Sequence, residues 1–359
     1  MANPIPIFDG HNDVLLRLMH KRDGGGGHLA GTKAFIEGTD KGHLDLPRAR
    51  AGGFTGGLFA VFCPPIERGP GNEQLMKESR YNIPLPADLT LTDAQQAAIA
   101  MIAGLFRIEK ASKGSVRVCR SAADIDRAGE AGALAAVLHI EGAEPIDADF
   151  RMLDILYQAG LRSIGPVWSR SNIFGHGVPF RFPSSPDTGP GLTDAGKALV
   201  KACNEFKVLI DLSHLNEKGF WDVAKLSDAP LVASHSNAHA VSPHSRNLTD
   251  DQLRAIRDSG GLVGINYATS FLREDGRMNA DTPLSTLVRH ADHLIGILGP
   301  DGVGLGSDFD GAVIPAALGD VAGLPKLVDA FRSAGYDEET IVKICRDNWV
   351  SVLRRTWGE

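Results

Sequence analysis

The chain has 359 residues, 43% of them hydrophobic, with mean hydropathy −0.08, net charge −7 and a pI near 5.9. This is the composition of a globular protein with ample core material, and its acidic balance, without any Lys/Arg-rich run, argues against a nucleic-acid partner. No run approaches 18 apolar residues, MANPIPIFDGHND has no basic segment ahead of an apolar one, and LRRTWGE is no anchor tail, so a cytoplasmic location with no membrane partner is expected. Cys63, Cys119, Cys203 and Cys345 are scattered without a CxxC pair, which predicts reduced core residues, neither a disulfide framework nor a thiolate metal site.

In chain order, strands are predicted at Ile5–Asp9, Phe54–Phe62, Leu134–Glu141, Leu161–Val167, Val208–Ser213, Leu231–His235, Leu262–Tyr267 and Val303–Ser307. Helical spacing with start signals alternates with them. Thr90 opens a long Ala-rich helix to about Ser112, Thr193-Asp194 one to Phe206, and Thr249-Asp250-Asp251 one that stops at Gly260-Gly261. Thr282-Pro283-Leu284 begins another that reaches Leu298, and two final helices cover about Leu324–Ala334 and Glu338–Arg355. Arg17–His43 and Ser169–Gly191 are read as long loops at the mouth of a site. Gly24–Gly27 reads as a flexible loop within the first, because no strand–helix frame surrounds it.

Eight β-then-α units predict an α/β fold, a distorted (β/α)8 TIM barrel in a single domain. A doubly wound sheet is the main rival, but no Gly-x-Gly-x-x-Gly follows the first strand. Barrel chemistry gathers at the C-terminal strand ends. Those ends supply His11 and Asp13 from GHND, Glu141 from LHIEG, His214 from LIDLSH, His235 from LVASH, and Asp308 and Asp310 from GSDFDG. His11 and Asp13 stand two apart, hence on one face of an extended strand, with Gly10 leaving room beside them. Singly, each residue could be a satisfied core histidine or a helix cap; jointly they predict a metal site.

Five ligating groups (His11, Asp13, Glu141, His214 and His235) exceed what one open tetrahedral zinc takes. They suit two ions bridged by Glu141, which together make hydroxide available near neutral pH. Zn2+ is expected, although the same ligands accept Mn2+ or Co2+. Asp308 fits a general base that later protonates a leaving amine, whereas Asp310 suits loop capping.

The segments FDGHND, HIEGAEPI, LIDLSHLN, VASHSNAHAVSPHSRNLTDDQL, GLGSDFDG and DNWVSVLRR resemble the membrane (renal) dipeptidase family, zinc dipeptidases of the amidohydrolase superfamily. The resemblance implies a binuclear zinc centre with His11 and Asp13 on one ion, His214 and His235 on the other, and Glu141 between them. It implies Asp308 as the acid/base and Arg246 as the anchor of the dipeptide carboxylate, a role suited to a planar bidentate donor. It also implies tolerance of a D-residue at the C-terminal position and a homodimer. One departure stands out: PVWSRSN places Trp168 where many members carry a carbonyl-polarising histidine. That role then falls to the metals, to Arg170 or to His176. His139 is expected to lie behind the ligands, and His239 and His244 are expected to be solvated.

The expected function is hydrolysis of L-Xaa-L-Xaa and L-Xaa-D-Xaa dipeptides by a metal-bridging hydroxide. The alternatives are another hydrolysis on the same barrel (N-acyl amino acid hydrolase, lactonase or deaminase) and, last, a non-catalytic binding barrel.

Overall fold

The computed structural model describes residues 5–20, 30–65 and 72–359. Eight parallel strands build the barrel: β1 Ile7–Asn12, β2 Phe54–Phe62, β3 Leu134–Glu141, β4 Leu161–Gly165, β5 Leu209–Ile210, β6 Val232–Ala233, β7 Leu262–Asn266 and β8 Val303–Gly306. Their order in the sheet is β5-β4-β3-β2-β1-β8-β7-β6. A parallel bridge between Asp211 and Val232 joins the two ends and nearly closes the ring. The distortion has a visible source. A short strand, Val116–Val118, pairs with the first residues of β3, so β4 reaches β3 only from Leu138 onward.

Every residue of β3 is buried, as expected of a parallel strand covered on both faces. Ala136, Leu138 and Ile140 pack outward with helix residues such as Leu105 and Leu153. Ala135 and Val137 point inward, onto Phe8, Leu58, Leu262 and Trp349. The inward series continues upward through His139 and Glu141, so one strand runs from apolar floor to polar mouth.

Trp349, from the helix Asn348–Trp357, forms that floor. It is fully buried and its indole N–H donates to the Leu305 carbonyl at 2.8 Å. A Cβ on Gly10, Gly264 or Gly304 would approach its ring to 2.3, 3.1 and 2.5 Å. Three strands therefore carry glycine so that one indole can seat. The space beside Gly10 is thus filled by Trp349 and leaves no room for a ligand there.

The helix starts at Thr90, Thr193 and Thr249 are as the sequence predicts, each hydroxyl accepting from the backbone three residues on. Thr249 and Gln252 complete a capping box. Between Arg17 and His43 the described residues are partly helical, at Val14–His20 and Ala30–Glu37, which corrects the loop reading there. Gly24–Gly27 lies outside the described residues. Ser169–Gly191 does cover the mouth: Arg181–Phe182 pairs antiparallel with Tyr81–Asn82 above the cavity. The four cysteines are free and buried, and no described helix is long and apolar enough to cross a membrane.

Candidate metal centre

The strand ends converge. His11 lies within β1, and Asp13 follows it directly. Four residues, Asp9 to Asn12, face only three, Gly57 to Phe59, on β2. This bulge lets Gly10 face Trp349 while His11 also turns inward, toward His139. Glu141 is the last residue of β3. His214 and His235 lie beyond the short strands β5 and β6, and His214 turns inward only through a left-handed backbone (φ 68°). Asp308 (φ 59°) and Asp310 (φ 69°) share that conformation, so three of the six non-glycine residues with positive φ among those described sit at this site. Sparsely populated backbone of this kind clusters at functional sites.

Glu141 stands at the centre. Its Oε1 lies 3.0 Å from His214 Nε2 and 3.4 Å from His235 Nε2, and its Oε2 lies 3.7 Å from His11 Nε2. His11 Nε2 is in turn 3.3 Å from Asp13 Oδ2. The ligand atoms of His11, Glu141 and His235 all fall within 4.8 Å of one another, as do those of His11, Asp13 and Asp308. A Cβ on Gly311 would strike Asp13 Oδ2 at 2.2 Å and Asp308 Oδ1 at 2.4 Å, so the loop after β8 closes directly over these carboxylates.

The chemistry of this donor set fits divalent cations. Burial holds His214 and His235 well below the ordinary imidazole range, with nearby Arg246 and His11 adding to the effect, so both rings are neutral. Their other nitrogens have partners: His214 Nδ1 meets Ser169 Oγ at 2.8 Å, and His235 Nδ1 meets Ser234 Oγ at 2.7 Å. Burial pushes the Glu141 carboxyl well up, and Asp13 and Asp308 add to this. Burial disfavours charge on His11 too, but Glu141 and Asp13 outweigh it and lift His11 to about 10. His11 Nδ1 and Asp13 Oδ1 are buried without partners. The cluster thus gathers buried nitrogen and oxygen acceptors, two of them unpartnered, a set that divalent cations satisfy.

A cavity of about 1050 Å3 opens above, lined by Asp13, Glu141, His214 and Asp308 at its base and by Phe62, Trp168, Phe180 and Phe271 on its walls. Trp168 packs against Phe62 and Phe180, with ring centroids 4.8 and 5.7 Å away. Asp308, raised by burial and by Asp13, accepts a hydrogen bond from Asn266 Nδ2 at 3.0 Å. Arg246 is buried behind the wall formed by Phe271, its guanidinium 5.4 Å from that ring. Its Nη2 donates to the His235 carbonyl at 3.0 Å, while Nε has no partner. Burial draws it down to about 10 against the pull of Asp308, Glu141 and Asp211.

Of the remaining candidates, some lie where expected and some do not. Arg170 is fully buried, donates to Glu144 Oε1 and to the Cys63 carbonyl, both at 2.9 Å, and does not line the cavity. His176 is held by Ser171 and does not line it either. His139 lies deeper, on Ser163 Oγ at 2.9 Å, as expected. His244 is not solvated but fully buried, with its ring 4.5 Å from Phe271 and its Nδ1 accepting from the Arg246 N–H. His239 is half-buried and bonded to the Ser184 carbonyl. Asp310 accepts from the His43 N–H at 2.6 Å and pairs with Arg17 at 3.0 Å, as a loop-pinning residue does. Asn266, Ser169, Ser234 and Asp211 were not singled out by the sequence. Only Asn266, which ends a strand, carried a positional signal.

A (β/α)8 barrel with histidines and carboxylates gathered at its C-terminal mouth is the architecture of a metal-dependent enzyme. The family model for membrane dipeptidase (peptidase family M19) matches residues 1–357, and the chain belongs to that family of peptide-bond hydrolases. A metallo peptidase from Rhodobacter sphaeroides, crystallised with a phosphinate mimic of the dipeptide L-Ala-D-Ala, is 52% identical, with a TM-score of 0.95 over 99% of this chain and 100% of that one. An uncharacterised protein in the pqqA 5′ region of Klebsiella pneumoniae is 57% identical over 248 residues, 69% of this chain and 92% of its own length. At 24% identity and a TM-score of 0.75, a probable dipeptidase from Pseudomonas aeruginosa, covering 89% of this chain and 90% of its own, shares the fold.

Proposed function

We propose that the chain is a binuclear zinc dipeptidase acting on L-Xaa-L-Xaa and L-Xaa-D-Xaa dipeptides. One observation carries this reading: Glu141 directs Oε2 toward His11 and Oε1 toward His214 and His235, so a single carboxylate addresses two sets of ligands. His11 and Asp13 would hold one cation, His214 and His235 the other, with Glu141 shared. Bound there, two divalent cations supply Lewis acidity, which acidifies water and polarises a carbonyl.

The protein's own groups do the rest. Asp308, oriented by Asn266 and raised by burial, takes the proton of the attacking water and returns it to the leaving amine. Arg246, buried behind Phe271 with its Nε unpartnered, is assigned to the C-terminal carboxylate on the family resemblance, a role that would limit the substrate to two residues. Trp168 forms an aromatic wall in place of a polarising histidine, and the positions of Arg170 and His176 leave that polarising work to the cations. Tolerance of a D-residue is supported by the Rhodobacter sphaeroides relative, which binds a mimic of L-Ala-D-Ala. A cytoplasmic homodimer with no membrane partner completes the proposal, on composition and family resemblance.

A panel of free dipeptides, with N-acyl amino acids as controls, tests the reading. Hydrolysis of the dipeptides, with the acylated controls at least tenfold slower, is expected. Hydrolysis of the acylated controls alone would move the chain to the N-acyl amino acid hydrolases.

A further inference from the structure

We propose that Asp211 is a positioning residue that sets the tautomer of His235 through the hydroxyl of Ser234. The inference rests on the reading of His235 as a metal ligand. Asp211 lies just past β5, 1% exposed, and its bridge to Val232 helps close the barrel. Its Oδ1 accepts two backbone N–H groups, from Ser213 at 3.0 Å and from Ser234 at 2.7 Å. Its Oδ2 accepts the Ser234 hydroxyl at 2.5 Å. The other hydroxyl near Ser234 Oγ, on Ser213, is a full ångström farther away, at 3.5 Å.

A serine has one hydroxyl proton. With that proton on Asp211, Ser234 Oγ can only accept from His235 Nδ1, 2.7 Å away. His235 therefore carries its proton on Nδ1 and presents a lone pair on Nε2, toward Glu141 Oε1 and His214 Nε2. Partners behind a metal-binding histidine commonly set its tautomer in this way. Here the control is relayed through one hydroxyl, and Asp211 never touches the ring it governs.

The relay makes an inverted prediction. In Asp211→Asn the amide oxygen still serves the two backbone N–H groups, but Nδ2 now donates to Ser234 Oγ. The Ser234 proton then turns to His235 Nδ1, and Nε2 becomes the protonated atom, aimed where a cation would sit. Ser234→Ala removes the relay and leaves the ring free to take either tautomer. Asp211→Asn, remote from the ring, should harm metal binding more than Ser234→Ala, which deletes the atom the ring touches.

The test is zinc affinity by competition with a chromophoric chelator, together with the His235 tautomer from 15N–1H correlation spectra of the metal-free protein. Asp211→Asn should lose zinc affinity about 10- to 100-fold, Ser234→Ala should lose less, and the double variant should recover to the Ser234→Ala value. His235 should change from Nδ1–H to Nε2–H in Asp211→Asn. Additive losses in the double variant, unchanged zinc affinity in Asp211→Asn, or Nδ1–H in every variant would each overturn the relay. Should Asp211→Asn fail to fold, Ser234→Ala alone decides: a mixture of tautomers supports the relay, and undiminished Nδ1–H refutes it. A wild-type protein that binds no zinc would sink the reading of the site, while the tautomer spectra would still judge the relay.

Discussion

The Nε2 atoms of His214 and His235 face each other at 3.0 Å, each also within 3.4 Å of Glu141 Oε1. Burial favours the neutral form of both rings, so two ring nitrogens and a carboxyl group are packed into one buried place. Such a place is stable when a cation fills it.

Metal removal should therefore cost stability as well as activity. A ligand at 100 times its Kd adds about 2.7 kcal/mol to the folded state. Differential scanning calorimetry with and without a strong chelator should show a fall in Tm of several degrees, reversed by added zinc. An unchanged Tm, with chelation confirmed by metal analysis, would contradict this.

Arg246→Ala should reduce kcat/KM for dipeptides by about 30- to 1000-fold, the range for removing one partner of a buried charged contact. Dipeptide amides, which lack the carboxylate, should be poor substrates of the wild type and lose little more in the variant. Equal losses on acids and amides would assign Arg246 to packing on Phe271 and the His235 carbonyl instead.

His290 supplies a pH dependence from a residue that does not line the catalytic cavity. Its Nδ1 accepts the Ala238 N–H at 3.2 Å and its Nε2 donates to the Leu272 carbonyl at 2.9 Å, an arrangement only the neutral ring can make. Burial lowers its pKa from 6.5 to about 4. The unfolded chain then binds the extra proton between these values, so stability is fully present above about pH 6.5 and falls as pH drops toward 4. Full loss amounts to roughly 3 kcal/mol. Denaturant unfolding from pH 7 to 4 should show a shallower decline in His290→Gln than in the wild type, and parallel declines would refute the assignment.

Trp349→Ala should destabilise by about 3–5 kcal/mol. The glycines at positions 10, 264 and 304 have no side chains with which to refill the floor. Urea unfolding measures this directly, and a loss below about 1 kcal/mol would show that the floor collapses around the gap.

Much of this architecture is legible in the sequence for a physical reason. β2 and β3 are almost wholly buried and read as near-continuous apolar or glycine runs broken only by Thr55, His139 and Glu141, so their positions at Phe54–Phe62 and Leu134–Glu141 are legible from composition. β5 and β6 shrink to two residues each, because the chain leaves the ladder early to turn His214 and His235 inward, and apolar character does not report that departure. The helix Arg151–Ala159 starts at Phe150 in a left-handed conformation, and its first N–H groups are capped from Asp147, three residues ahead of Phe150, so the usual N-cap position carries no start signal. Asp211, Ser234 and Asn266 are ordinary polar residues in one dimension, and their meaning comes only from neighbours on other strands. His244 reads as a loop residue until the Tyr81–Asn82 and Arg181–Phe182 pair closes over it and leaves its ring among Tyr81, Phe182 and Phe271.

Everything proposed for this site depends on Glu141 being shared by two cations. Crystals of the zinc-loaded protein, measured with anomalous scattering at the zinc edge, address it most directly. Two peaks per chain are expected, one beside His11 and Asp13 and one beside His214 and His235, with a Glu141 oxygen against each. A single peak, or two peaks of which Glu141 touches only one, would contradict it.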